Sequence, residues 1–525
     1  MTQGDWMTVL KAWVYGDMDT ATGVHPHDNF YAKSVMVPEA TGLSQASMDA
    51  FIEYLATDGY DTELLVGLFH LHGTYAHSVI SVNLRYNVSP IAITYPTSAE
   101  QVGAVVAAGA GQHYAVTARS GGHSYVAGGL GGEDGSLVVD LSNFRDIVVD
   151  EVTNTVQVGA GNRLGDVALR LNDYGRALPH GRCTTVGQSG GGFGFQSRMW
   201  GLLLDRVVSE TVVLGNGSVV TASKDENADL FWGLRGAGAS LGIVASFVFA
   251  TEPAPPQATA FWYNWDFTAA EAARAISSFQ DFVRTDIPPT LGGELVLNKS
   301  SVSGNVAVQY FGVYLDDSAT FDKTVEPYLD LFPKPDSKNI TQGDWITVFA
   351  AWASGSLNTS TMPPQHNTFY VKSILTPEDE GISDMAINAL TEYLATTGFD
   401  TDLSWFIEVE TYGGSNSAIN AVPVNDTAFA HRNNLFNLQL YAYSQNELPP
   451  YPNDGFAFVD GMADSILQNE AKDWPWGSYV NYPDDRLENW QKLYYGQHYE
   501  RLTQLKSLYD PGNVFQFPHA VEEKA

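Results

Sequence analysis

The chain has 525 residues, 44% hydrophobic and 12% aromatic, which suffices for about two or three domains with large cores and excludes a disordered polypeptide. Its formal net charge of −33 argues against nucleic acid or anionic membranes as partners, because phosphate recognition needs clustered Lys and Arg. The single cysteine permits no intramolecular disulfide, and no apolar run approaches the roughly 20 residues of a membrane-spanning helix.

The N-terminus has neither the basic start nor the apolar core of a secretion signal. It repeats a later part of the same chain. Thr2-Gln-Gly-Asp-Trp6 recurs as Thr341-Gln-Gly-Asp-Trp345, and Glu53-Tyr-Leu-Ala-Thr57 recurs as Glu392-Tyr-Leu-Ala-Thr396. The offset is constant and about half of the aligned positions are identical. Two distant copies do not make a stacked array. Residues 1–82 are therefore read as a duplicated fragment of a later domain. It is either a true fusion or a gene-model artefact joining a neighbouring paralogue, with the second reading favoured.

Residues 83–255 alternate strands and helices. Ala92-Ile-Thr-Tyr95 is a short strand ended by Pro96, and Ser98 is placed to cap a helix with Glu100 in its first turn. His113–Ala118, Leu137–Leu141 and Thr155–Gly159 are the next strands. Val212-Val-Leu-Gly-Asn-Gly217 enters a hairpin turn, and Gly242–Phe249 is a final strand of this unit. Between them lie glycine loops: Arg119-Ser-Gly-Gly-His-Ser-Tyr125, Gly181-Arg-Cys183, Gly190-Gly-Gly-Phe-Gly194 and Trp232-Gly-Leu-Arg-Gly-Ala-Gly238. Glycine lets backbone N–H groups approach phosphate oxygens closely, so these loops suit a diphosphate. Their spacing is not that of the dinucleotide fingerprint G-x-G-x-x-G, and a nicotinamide fold is not implied.

His123 and Cys183 stand out within these loops. Alone, a cysteine is more often an inert buried residue than a reactive one, and a histidine beside glycines is usually a satisfied loop residue. In these two settings together they resemble the flavin attachment points of the berberine-bridge-enzyme-like branch of FAD-linked oxidases, which share the vanillyl-alcohol-oxidase fold. The resemblance covers roughly residues 83–520 and is nearest the oligosaccharide oxidase subgroup. It implies an α+β protein: an FAD-binding PCMH-type domain of two α/β subdomains, plus an antiparallel-sheet substrate domain backed by helices. The implied boundaries are 83–255 for the FAD domain, 256–465 for the substrate domain, and 466–525 for a segment returning to the FAD domain. The implied cofactor is FAD, bound bicovalently through His123 to the 8α-methyl carbon and Cys183 to ring carbon 6. The implied cofactor-binding set adds Arg119, Ser120, Gly121, Gly122, Ser124, Val186, Gly187, Gly191, Gly192, Ile243, Val244 and Asn481. A valine at 186 matches the family's oxygen gate, where a small side chain leaves space for O2.

Alcohol oxidation on a flavin needs a base for the hydroxyl proton. The Tyr-x-Asn-Tyr segment Tyr479-Val-Asn-Tyr482 makes Tyr482 the implied base. An unperturbed tyrosine titrates near 10, so it needs an acidic partner. In Trp405-Phe-Ile-Glu-Val-Glu-Thr-Tyr412 the period of two puts Glu408 and Glu410 on one face of a strand. Glu410 matches the partner of the tyrosine. Glu408 stands where sugar-oxidising relatives carry glutamine, and without the resemblance both acids would read as an ordinary solvated face. Close, buried carboxylates would raise each other's pKa. Tyr125, Glu408 and Gln439 are the implied substrate-binding residues. Arg182 departs from the small or hydroxyl residue expected before the cysteine, where a guanidinium would favour the thiolate or alter specificity. No metal site is read from the chain.

The implied function is a secreted glycoprotein oxidase that converts the anomeric hydroxyl of an oligosaccharide to the lactone and reduces O2 to H2O2. Two alternatives remain: a flavin oxidase tailoring a secondary metabolite, and a flavin-binding protein without turnover. Asn-x-Ser/Thr sequons at Asn87, Asn216, Asn298, Asn339, Asn358 and Asn425 permit glycosylation. A monomer with no macromolecular partner is expected.

Overall fold

The Ser98 hydroxyl accepts the Gln101 amide at 3.3 Å and opens the helix Ala99–Gly111, whose Val102, Val105 and Val106 are wholly buried. That helix feeds the first of three larger sheets in a computed structural model, which describes residues 79–524 except 354, 363 and 364, together with the strand Val35–Met36. The rest of the duplicated fragment lies outside the described residues. No helix among the described residues is long and apolar enough to cross a membrane.

The first sheet has the order β1 (Val35–Met36), β2 (Ala92–Thr94), β4 (Leu137–Asp140), β3 (Val116–Arg119). Strands β2, β4 and β3 run parallel, while β1 lies antiparallel to β2. The expected strand from His113 begins only at Val116. His113 has φ +61° and the Tyr114 amide turns back to the Gly109 carbonyl, so the helix end uses the residues that the apolar pattern assigned to the strand. The second sheet is fully antiparallel: β5 (Ile147–Asp150), β6 (Thr155–Gly159), β10 (Ile243–Ala250), β8 (Val207–Val213), β9 (Val219–Ser223). Val116, Val139, Val156, Val158 and Phe249 close one core between the two sheets.

A minor pair, β7 (Arg176–Ala177) with β11 (Glu252–Pro253), precedes the third sheet. That sheet has seven antiparallel strands in the order β15 (Ser337–Gly343), β12 (Ala258–Thr268), β14 (Asn305–Tyr314), β13 (Leu291–Lys299), β17 (Ser404–Thr411), β18 (Asn434–Tyr443), β16 (Phe369–Pro377). The helices Ala269–Arg284, Asp384–Ala395 and Asn453–Leu467 cover one face. Leu295, Leu297, Ile407, Val409, Leu438 and Leu440 point into that layer at 1% exposure or less, each contributing roughly 1.5–3 kcal/mol by burial. Their alternate neighbours face the other way, toward the glycine loops.

Buried cations join the parts. Arg198, wholly buried after the Gly190–Gly194 loop, donates to the carbonyls of Leu291 at 2.6 Å and Gly413 at 3.0 Å. Near the C-terminus, Lys506 donates to the Ser240 and Phe515 carbonyls and pairs with Asp510 at 2.7 Å. The Val116 amide meets the Val514 carbonyl, so the last residues extend the first sheet.

Candidate active site

Strand register builds the site. Glu410 of β17 lies opposite Glu294 of β13 and Asn437 of β18, while Glu408 lies opposite Val296 and Gln439. Residues directly opposite share a face, so a polar row crosses the middle of the sheet. None of it is solvated: Glu294, Glu408, Glu410 and Gln439 are 1–5% exposed. The carboxyl groups of Glu294, Glu408 and Glu410 lie within 4.8 Å of one another.

The C-terminal loop brings Tyr482 onto this row, where its hydroxyl donates to Glu410 Oε1 at 3.0 Å. Glu410 Oε2 accepts the Asn437 amide. Burial, with Glu408 and Glu294 adding like charge, pushes the Glu410 carboxyl well above its ordinary value, and the Tyr482 bond and Arg182 oppose this. Burial and the neighbouring acids likewise raise the Tyr482 phenol. The histidine loop brings Tyr125, whose ring lies parallel to Tyr482 and whose hydroxyl accepts Gln439 Nε2 at 3.0 Å. Tyr441, stacked between Phe369 and Phe406 at 4.7 Å from each, continues the aromatic wall.

Arg182 reaches the same row. Its guanidinium donates to Glu294 Oε1 at 2.9 Å and to Glu408 Oε1, and lies over the Phe311 ring at 5.1 Å. Cys183, the next residue, is exposed. His123 is half-buried, and burial, then Arg163 and His366, lower its pKa to about 4. Its imidazole is therefore neutral near neutral pH, the state in which a ring nitrogen is a nucleophile.

The two loops meet back to back. A Cβ on Gly121 would collide with the Gly187 amide nitrogen, and one on Gly187 would lie 2.7 Å from Ser120 Oγ. Gly122 and Gly191 adopt φ of +72° and +60°, which favour glycine. Among the described residues, no backbone carbonyl engages the N–H groups of Gly121, Gly122, His123 or Ser124. Beside them lies a cavity of about 200 Å³ lined by Ser124, Gln188, Gly190, Gly191, Glu210 and Asn481. This glycine cradle, with N–H groups not engaged by backbone carbonyls, fits an anionic diphosphate cofactor.

The remaining predicted residues surround the cradle. Asn481 Nδ2 donates to the Gly190 carbonyl at 3.0 Å, while the Gly191 and Gly192 carbonyls accept the Leu204 and Leu203 amides. Ile243 and Val244 begin β10 beside Val213 and Val212. Val186 closes a turn on the Cys183 carbonyl. Arg119 donates to Asp140 of the adjacent strand at 2.6 Å, with the stem of its side chain beside Gly122.

Glu294 and Asn437 were not singled out from the sequence. A lone acid in Leu291-Gly-Gly-Glu-Leu-Val-Leu297, whose neighbours are all apolar, was the available signal. Asn437 offers none beyond its polarity in an apolar strand.

Two family models match the chain: an FAD binding domain over residues 90–223, and a berberine and berberine-like domain over residues 478–522. The chitooligosaccharide oxidase of Gibberella zeae is 35% identical over 84% of this chain and 89% of its own length. The solved xylooligosaccharide oxidase of Myceliophthora thermophila, in complex with xylobiose, superposes with a TM-score of 0.81 at 33% identity, over 91% of this chain and all of that one. A glucooligosaccharide oxidase of Acremonium strictum, which carries a 6-S-cysteinyl, 8α-N1-histidyl FAD, gives 0.78 at 33% identity, over 85% of this chain and 95% of that one.

Proposed function

The chain belongs to the berberine-like family of FAD-linked oxidoreductases, and on that premise we propose that it oxidises the anomeric hydroxyl of oligosaccharides to the lactone, reducing O2 to H2O2. The observation that carries this reading is the Tyr482–Glu410 hydrogen bond beside Tyr125 and Gln439. FAD supplies the two-electron acceptor. The loops 119–124 and 187–192, with Ile243, Val244 and Asn481, would hold it, and His123 and Cys183 would tether it covalently. Tyr482 takes the proton from the substrate hydroxyl, and Glu410 takes up the phenol's proton through their shared bond. Gln439 and the Tyr125 hydroxyl orient sugar hydroxyls, with Glu408 forming the groove wall. Val186 leaves room for O2 beside Cys183.

In this reading residues 83–255 and 466–525 serve the cofactor, 256–465 serve the substrate, and 1–82 are a duplicated fragment. The protein works outside the cell as a monomer. Exposed sequon residues Asn87, Asn216, Asn339, Asn358 and Asn425 are compatible with glycosylation there.

A second reading is favoured by Arg182. Its two ion pairs occupy carboxylates that would otherwise offer acceptors to a sugar, which suits a less polar secondary-metabolite substrate. The test is anaerobic bleaching of the flavin and aerobic peroxide release with cello-, xylo- and chitooligosaccharides, beside a panel of aromatic and allylic alcohols. Tyr482→Phe should lower the sugar-driven rate by about a hundredfold or more with flavin content unchanged. Turnover of the alcohols but of no sugar would replace the first reading with the second. Bleaching by neither panel would leave a flavin-binding protein.

A further inference from the structure

Three buried carboxyl groups crowd within 4.8 Å, and among the described residues one guanidinium, that of Arg182, bonds to the cluster, at Glu294 and Glu408. The third, Glu410, is bound to Tyr482 and Asn437. We propose that Arg182 is the counter-ion of this cluster, a positioning residue that sets the pH range over which the Tyr482–Glu410 pair accepts the substrate proton. The inference rests on Tyr482 being the base.

The argument is electrostatic and geometric. Glu410 takes up a proton only in its ionised form. A neighbouring negative charge in a dry site disfavours that form, and a neighbouring positive charge favours it. Each element around Glu410 brings a known group: Glu408 and Tyr412 from its own chain segment, Glu294 from β13, Arg182 from the cysteine loop, Tyr125 from the histidine loop, and Tyr479 and Tyr482 from the C-terminal loop, with Cys183 beside Arg182 and Tyr125. The β18 residues beside it, Asn437 and Gln439, carry no charge. Arg182 is therefore the one cation facing this group among the described residues named. Its two bonds hold it in place across strands that are neighbours only in the folded sheet. Deleting Arg182 and deleting Glu408 must then act with opposite sign on Glu410.

The experiment is the pH profile of the limiting rate of flavin bleaching, measured anaerobically on the holoenzyme at saturating substrate. Arg182→Met should move the acid limb up by about one pH unit or more, and Glu408→Gln should move it down. The double variant should lie nearer the wild type than either single one. Shifts of the same sign, or no shift in either, overturn the proposal. So does a change confined to apparent substrate affinity, which would make Arg182 a substrate ligand. If Arg182→Met does not hold flavin, Arg182→Lys and Glu408→Gln carry the test, with an unmoved limb expected for the first and a downward shift for the second. A Tyr482→Phe variant bleaching at the wild-type rate would remove the base itself, and the proposal with it, whatever Arg182 does.

Discussion

The rings of Tyr125 and Tyr482 lie 5.9 Å apart and within 6° of parallel, although one follows the first sheet and the other belongs to the C-terminal loop. Stacking lines up two hydroxyls: that of Tyr482 on Glu410 and that of Tyr125 on Gln439. In the proposed function the pair thus divides the groove into a proton-accepting side and a substrate-orienting side.

That division gives a kinetic expectation for Gln439→Leu. The variant keeps the side-chain volume but unties the Tyr125 hydroxyl and removes a polar contact for substrate. A lost hydrogen bond of about 1–2 kcal/mol corresponds to roughly a tenfold fall in kcat/KM. The loss should appear mainly in KM, with kcat nearly kept, in peroxide-release assays over a range of oligosaccharide concentrations.

The two proposed tethers can be tested separately. His123→Ala and Cys183→Ala should each keep yellow colour with the protein after acid precipitation, and the double variant should release it into the supernatant. Absorbance of pellet and supernatant reads this directly. Colour released from either single variant would leave one bond instead of two.

Glu210, 4% exposed on β8, faces the cavity with one carboxyl oxygen unpartnered among the described residues. Burial pushes its pKa up to about 8, with Arg235 opposing. The folded protein therefore holds this proton more tightly than the unfolded chain. The stability this contributes is complete below the ordinary carboxylate value and is lost as pH rises toward about 8. Glu210→Gln should remove that loss, on the order of 4 kcal/mol, so its unfolding midpoint gains on the wild type between about pH 5 and pH 8. Parallel midpoints over that range in a thermal or denaturant series would contradict it.

Lys506 and Asp510 are both fully buried, one turn apart, and Asp510 also accepts the amides of Val514 and Phe515. Lys506→Met leaves that carboxylate without its cation and should cost about 3–5 kcal/mol. Lys506→Met with Asp510→Asn should recover part of the loss. Denaturant titration followed by intrinsic fluorescence measures both, with flavin absorbance reporting whether the cavity wall at Ser240 loosens too.

Much of this was legible along the chain. Ser98 caps its helix because the signal is local, a hydroxyl three residues from the amide it accepts. The glycine loops were visible for the same reason, since a positive φ is a property of one residue. The common face of Glu408 and Glu410 follows from the period of a strand. The start of β3 was misplaced because His113 and Tyr114 look like strand residues, while the turn ending the preceding helix claims them.

What the sequence determined by itself is therefore one-dimensional: which residues alternate, where the backbone must turn, and which motifs carry histidine, cysteine and tyrosine. The tertiary structure alone decided the lateral neighbours. Glu410 meets Glu294 and Asn437 because β17 lies between β13 and β18, and Arg182 meets Glu294 and Glu408 because its loop crosses that sheet. The sheet's strand order does not follow chain order, and charges that share a dry face affect one another through space at distances no spacing along the chain records.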